Sequence, residues 1–354
     1  MRRFPGVRMI IAAAFAPLVM TVAGCALQPA SGPASPTYAV IDTVKIGGAG
    51  GWDFITFDAP GQRLFISRGD RVQVWNARSK RVEAEIGGTS GVHGIAIAND
   101  LQRGFTSNGR TNTVSVFGLD DLKVTDSIDV QGVNPDAILY EPRFKRVYTF
   151  NGRSADATVI DAVGLKVLSK IALGGKPEVA VSDGAGHLFV NLEDTSEIVM
   201  IDEAASQVSA RWPLAPCTKP TGLAIDAVHK RLFSVCANQK MVVLDAATGR
   251  LVAEVPIGDG PDSAGFDADL GLAFSSNGDG SLTVVHEDGL DHFSVVTKVA
   301  TVKKARTMSL DPQANRVFLV SADFGPVPAA TTSAPKPRAP MIADSFTVLV
   351  VAPK

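Results

Sequence analysis

The stretch GGKPEVAVSDGAGHLFVNLEDTSEIVMID, Gly174 to Asp202, decides the fold. It has a Gly-rich lead-in, a Pro followed by a polar residue (Pro177-Glu178), a short apolar run and an Asp-led turn with a basic step. A second apolar run follows, then a third that ends on Asp202. The same grammar recurs along almost the whole chain. Copies are anchored at Trp52-Asp53, Val92-His93, Pro135-Asp136, Pro177-Glu178, Pro220-Thr221, Pro261-Asp262 and Ala305-Arg306, with their second members 40, 43, 42, 43, 41 and 44 residues apart. Seven copies at a period near 42, each with several strand-length runs, specify an all-β chain. The expected architecture is a seven-bladed β-propeller of four-stranded antiparallel blades. A repeat array is one domain whatever its length.

The first repeat shows a blade complete: Trp52 to Asp58, the turn Ala59-Pro60-Gly61-Gln62, Arg63 to Ser67, a loop at Arg68 to Asp70, Val72 to Asn76, and Arg81 to Ile86. These are strands a to d of a meander. Strand a is apolar at nearly every position (Phe54, Ile55, Phe57), as suits a strand covered on both faces. Strand d alternates, Arg81-Val82-Glu83-Ala84-Glu85-Ile86, with one face in water, and its charges discourage sheet-to-sheet pairing. The seventh repeat stops short. Arg316 to Val320 and Phe346 to Val351 supply its strands b and c, and no strand d follows. Tyr38 to Ile46, YAVIDTVKI, stands ahead of the first repeat as an orphan strand d. The N-terminal strand is therefore expected to complete the last blade and close the ring.

Residues 1–25 are of another kind. Arg2, Arg3 and Arg8 accompany an apolar run, Met9 to Val22, that is too short for an ordinary membrane span, which is the pattern of an export signal. It ends in Val22-Ala23-Gly24-Cys25, which resembles a bacterial lipobox. That resemblance implies a diacylated Cys25 as the mature N-terminus, and Ala26 in place of Asp implies attachment to the outer membrane. Residues 26–37, ALQPASGPASPT, carry no periodic apolar pattern and read as a flexible linker, leaving 38–354 as the propeller. The expected location is periplasmic, at the membrane through the lipid. Composition agrees: 45% apolar and 20% charged residues with 33 Gly and 21 Pro suit a globular chain rich in turns. Without residues 1–25 there are 31 basic against 36 acidic residues, a formal charge of −5. No Lys/Arg run exceeds pairs such as Lys303-Lys304, so the basic stripe that nucleic acid requires is missing.

Repeats of the form PDAILYEPRFKRVYTFNG (135–152) and PTGLAIDAVHKRLFSVCAN (220–238), with VVLDAATGRLVAEVPIG (242–258) after them, resemble the YVTN/YncE-like seven-bladed propellers over residues 38–354. The tetrapeptide of that family is replaced here by VYTF (147–150), LFVN (188–191) and AFSS (273–276). The resemblance implies the ring. For function it implies a range: surface-layer modules, periplasmic proteins and a single-stranded DNA binder, the last at odds with the charge.

In such a meander the d-to-a and b-to-c connections share one face, and strand a lines the channel. Residues just ahead of strand a therefore crowd the channel mouth. They are Asp53, His93, Asp136, Glu178, Thr221, Asp262 and Arg306. Either they cap the inner strands and solvate a water-filled channel, or they form a ligand site, with Asp53, Asp136, Glu178 and Asp262 as oxygen donors for a hard divalent cation. The b-to-c loops of the same face carry Asn108-Gly109-Arg110, Asn151-Gly152-Arg153, Glu193 and Asn277. Asn-Gly is a good hairpin turn in itself. A turn does not ask for the Arg that follows, so Arg110 and Arg153 are expected to hold a carboxylate beside the mouth.

No nucleophile-elbow, zinc-protease, phosphate-loop or C-x-x-C motif is present. His187, His229, His286 and His292 fall in turns, strand starts or outer strands and read as surface residues. Trp52 stands either at the mouth or between blades. Cys217 and Cys236 lie at the same end of adjacent strands of the fifth repeat. An exported chain makes a disulfide the expected state, with a metal-binding pair or free thiols as alternatives. The b-to-c loop of the seventh repeat, 325–342, holds five Pro and is either disordered or a lid. The expected function is that of a monomeric, lipid-anchored module binding a small ligand, a metal ion or a partner protein at the mouth, with a divalent cation as the one cofactor suggested. The alternative is a metal-assisted hydrolase or lyase of the lactonase kind, in which the ion polarises a carbonyl and His93 or a carboxylate moves the proton.

Overall fold

The structure is a computed structural model that describes residues 37–331 and 336–354, together with residues 1, 2, 4, 6 and 9. Cys25, most of residues 1–25, residues 26–36 and residues 332–335 of the Pro-rich loop lie outside the described residues. Among the described residues no helix is long and apolar enough to cross a membrane.

Each repeat becomes one four-stranded antiparallel sheet, and seven such sheets make the ring. In blade 4, strands a to d are Pro177–Ser182, His187–Leu192, Glu197–Asp202 and Gln207–Pro213. Burial follows the sequence pattern: Leu188 to Leu192 are buried without a break, whereas the outer strand alternates exposed and half-buried positions. A blade cannot cover its own two faces. Seven apolar clusters accordingly sit between neighbouring blades, one at each junction. Tyr148 and Phe150 of blade 3 thus pack with Leu188 and Val190 of blade 4, and Trp75 of blade 1 with Phe318 of blade 7. Each such side chain contributes about 1.5–3 kcal/mol on full burial, and nearly all of it depends on the next blade being in place.

The Asp-turn-basic step of the repeat has a specific job. The residue directly before strand b adopts a positive φ in all seven blades: Gln62, Gln102, Lys145, Gly186, Lys230, Gly271 and Asn315. In blades 1 to 5 its carbonyl accepts the N–H of the residue that follows strand c, namely Ala77, Leu119, Ala162, Glu203 and Ala246; in blade 6 it accepts that of Glu287, inside the longer strand Ser281–Gly289. The basic residue that opens strand b then staples one blade to the next. Arg63 donates to the Leu119 carbonyl at 2.7 Å, Arg103 to that of Ala162 at 2.9 Å, and Arg146 to that of Glu203.

Blade 7 is assembled from both ends of the chain: Met308–Asp311, Arg316–Ser321, Thr347–Pro353 and, as strand d, Tyr38–Lys45. The register runs from Tyr38↔Pro353 to Lys45↔Thr347 with a bulge between Val40 and Asp42. Tyr38 is buried and meets Phe274 of blade 6 edge-on, ring centroids 5.3 Å apart. Val40, Val44 and Ile46 are half-buried against the flanking clusters. Arg68, fully buried, stacks on Phe346 and donates to the carbonyls of Gly48, Ala49 and Gly50, fastening the link from the N-terminal strand to blade 1. Cys217 and Cys236 form a disulfide. Closing a loop across a sequence separation of 19 contributes about 3 kcal/mol in the chain-entropy model.

Candidate functional site

The anchor residues of blades 2 to 6 sit within strand a rather than ahead of it, because those strands begin at Val92, Pro135, Pro177, Pro220 and Pro261. Directly after each of these first residues the a–b ladder slips its register. A bulge breaks the in-out alternation and re-aims a side chain, which is how the half-buried inner strand presents a charged group to the channel. Asp53 and Arg306 arrive on the chain just ahead of Ile55–Asp58 and Met308–Asp311. Serines of strand b pin the backbone beneath them. Ser67 Oγ accepts the Asp53 N–H at 3.1 Å, and Ser107 and Ser276 donate to the carbonyls of Asp136 and Arg306 on the following blades.

The resulting cavity at the channel mouth measures about 360 Å³, and Asp53, Asp136, Lys176, Glu178, Glu193, Asp262 and Arg306 line it together with apolar and small residues. Its charges, with the His93 imidazole that stands beside the lining, fall into three groups. His93 Nδ1 lies 2.7 Å from Asp53 Oδ2 and 3.8 Å from Asp136 Oδ1, and the ligating atoms of the three are within 4.8 Å of one another. Lys176 Nζ bonds Glu178 at 2.6 Å and also Glu193. Arg306 Nε stands 3.3 Å from Asp262 Oδ2.

Burial shapes the titration of this mouth. Loss of solvent pushes the Glu178 carboxyl up to about 7 against the pull of Lys176. It pushes Asp262 up to about 6 against the pull of Arg306. Asp136 is raised for the same reason, opposed by His93. The hydrogen bond to Asp53 raises the His93 imidazole above its ordinary range, although burial works the other way.

Several sequence expectations change here. The four oxygen donors Asp53, Asp136, Glu178 and Asp262 do not converge as one set; Glu178 and Asp262 are held by cations, and His93 joins Asp53 and Asp136 instead. Asn108, Asn151 and Asn277 are corrected as ligand residues, because all three are buried inside their blades. Asn108 and Asn151 tie strand b to strand c, Asn108 through Ser115 at 2.8 Å and Asn151 through Thr158 at 2.9 Å. Asn277 does the same through Ser281 at 3.1 Å. Arg110 and Arg153 are exposed and do not line the cavity. Trp52 packs between Phe324 and Phe346, at 6.0 and 5.2 Å between ring centroids, and lines a second cavity of about 410 Å³ beside the mouth. Arg338 and Ala339 of the Pro-rich loop wall that second cavity, and the loop is stitched at its base by Gly325 N–H to the Pro340 carbonyl at 2.9 Å. Lys176 is the residue that sequence reasoning passed over. The signal was there, since Lys176, Lys219 and Lys304 each stand two positions ahead of an anchor residue.

No family model and no curated protein matches the sequence. Among solved structures, hydrazine synthase from Kuenenia stuttgartiensis is similar with a TM-score of 0.69 at 18% identity, over 76% of this chain and 92% of that one. At that identity the likeness is one of fold: the chain is a seven-bladed β-propeller, and its chemistry has to be argued from its own residues.

Proposed function

We propose that the chain is an exported, lipid-anchored propeller of the YVTN/YncE kind that binds a small, positively charged ligand at its channel mouth, a divalent ion being the simplest case. The observation that carries this reading is the charge balance of the mouth cavity: five carboxylates (Asp53, Asp136, Glu178, Glu193, Asp262) against Lys176 and Arg306. Carboxylates crowded in a partly dry site destabilise one another, and a bound cation relieves that repulsion.

The test follows from the sign. Asp136→Asn should leave the melting temperature of the ligand-free protein unchanged or slightly higher, while weakening binding of calcium, manganese or zinc by roughly tenfold or more in calorimetric titration. A clear loss of stability that no added ion influences would mean that Asp136 is scaffolding and the reading is wrong. A second reading is favoured by the Asp53–His93 hydrogen bond, which orients an imidazole beside the same carboxylates. In that case a bound ion would supply Lewis-acid chemistry toward a carbonyl, and His93, oriented by Asp53, would move the proton, as in a metal-assisted hydrolase. Metal-dependent opening of simple lactones, absent in His93→Ala, separates this from binding alone.

Export and anchoring rest on the arginines and apolar run of residues 1–25 and on Cys25. Cys25→Ser should abolish labelling by a fatty-acid analogue and release the protein from outer membranes. Membrane retention of an unlabelled wild type would remove the anchor from the proposal.

A further inference from the structure

On the face opposite the mouth, blades 5 and 6 bring together two buried carboxylates and an imidazole. Asp226 ends strand a of blade 5 (Pro220–Asp226), and Oδ1 accepts the N–H groups of Val228 and His229 at 2.9 and 3.2 Å, which fixes the carboxylate and folds the turn. The turn places His229 Nδ1 2.6 Å from Asp226 Oδ2 and 3.5 Å from Glu287 Oε2 of the neighbouring blade. The ligating atoms of the three lie within 4.8 Å of one another. The side chains of Asp226 and Glu287 are 2% and 6% exposed, whereas that of His229 is 52% exposed. Glu287 Oε1 is buried and has no hydrogen-bond partner. Arg231 runs alongside but spends its donors elsewhere. It bonds the carbonyls of Leu290, His229 and Lys230 and pairs with Asp245 and Asp291.

The repeat supplies an internal comparison. At the position whose N–H bonds the carbonyl ahead of strand b, blades 1, 2, 3 and 5 carry Ala77, Leu119, Ala162 and Ala246; an acid stands there in blade 4 (Glu203) and blade 6 (Glu287). Each acid faces the last residue of the preceding strand a, Glu141 in one case and Asp226 in the other. Three residues beyond that point the two pairs part company: blade 3 has Phe144, blade 5 has His229. The fold therefore does not need an acid at this position. Only the blade 5–6 junction adds an imidazole to the pair.

We infer that Asp226, His229 and Glu287 form a site for a divalent transition ion of the zinc class, bridging blades 5 and 6. Two carboxylates and a neutral imidazole bring such an ion to zero net charge, which suits a largely dry position. Imidazole nitrogen with carboxylate oxygen favours zinc, cobalt or nickel over calcium or magnesium. Tetrahedral ligation at about 2.0–2.2 Å sets two donors about 3.4 Å apart, so His229 and Asp226 part by about 0.8 Å from their 2.6 Å hydrogen bond, and the exposed side of His229 leaves a further position to water.

The test uses the full chain, stripped by chelation, in an Asp136→Asn background that weakens the mouth trio. Zinc should then bind at one equivalent per chain and raise the melting temperature, and cobalt should give a visible absorption band. His229→Phe copies blade 3 and Glu287→Ala copies blades 1, 3 and 5, so both should fold. Each should weaken zinc binding by more than the roughly 10- to 100-fold typical of second-shell changes. Without metal, Glu287→Ala should melt at or above its parent. Zinc uptake and zinc-induced stabilisation that survive in His229→Phe would overturn the site, as would a parent that takes up no zinc at micromolar concentration. Because the mouth is weakened alike in the parent and in both variants, the difference between them reports the blade 5–6 site alone and does not bear on the mouth reading.

Discussion

Removing residues 38–46 should lower the stability of the ring by about 5 kcal/mol, a large share of the roughly 5–15 kcal/mol that holds an ordinary domain together. The figure comes from burial. Tyr38 is lost from a fully covered position, Val40, Val44 and Ile46 from half-covered ones. The strand Thr347–Pro353, whose first six residues are buried, becomes an open edge. Urea unfolding of the truncated chain should show an early midpoint, and the chain should aggregate through that edge. Deleting residues 26–36 is the control and should shift the midpoint hardly at all. Two truncations that unfold alike would mean that the N-terminal strand does not hold the ring closed.

The second large effect concerns pH. Glu203 is fully buried, neither of its oxygens has a hydrogen-bond partner, and burial with the Glu141 carboxylate beside it pushes its pKa up to about 8. The folded protein thus keeps a proton that the unfolded chain releases above its ordinary value of 4.5. Stability from this group is complete below that value and drains away as pH rises to about 8, by about 5 kcal/mol in all. Glu203→Gln, which keeps the shape and removes the titration, should match the wild type at pH 5 and melt well above it at pH 9. Parallel melting curves at both pH values would show that Glu203 is already relieved by some other group.

The period of the repeat made the ring legible, down to the strand borrowed from the other terminus, because blade count and closure depend only on where along the chain the apolar runs fall. The disulfide was legible for a similar reason: adjacent antiparallel strands bring Cys217 and Cys236 to the same end. The mouth was half legible. Repeat position says which residue reaches the channel, but not which neighbour it will meet there. The grip of Lys176 on Glu178 and Glu193, the bond from His93 to Asp53, and the turning of Asn151 into its own blade depend on bulges and side-chain reach between blades. The Asn-Gly signal misled because one residue type serves both a tight turn and a buried amide knot.

The closing strand has a mechanical side as well. Load that reaches the ring from the N-terminal side arrives at Tyr38, the first residue of the strand that clasps it shut. Pulled outward there, the ladder from Tyr38↔Pro353 to Lys45↔Thr347 would peel one rung at a time rather than yield as a block. Tyr38 is also where that strand is nailed to a different blade, through the edge-on contact with Phe274. Tension must therefore draw a buried aromatic ring out of blade 6 before the first rung of blade 7 can open, so the zip begins with its own lock.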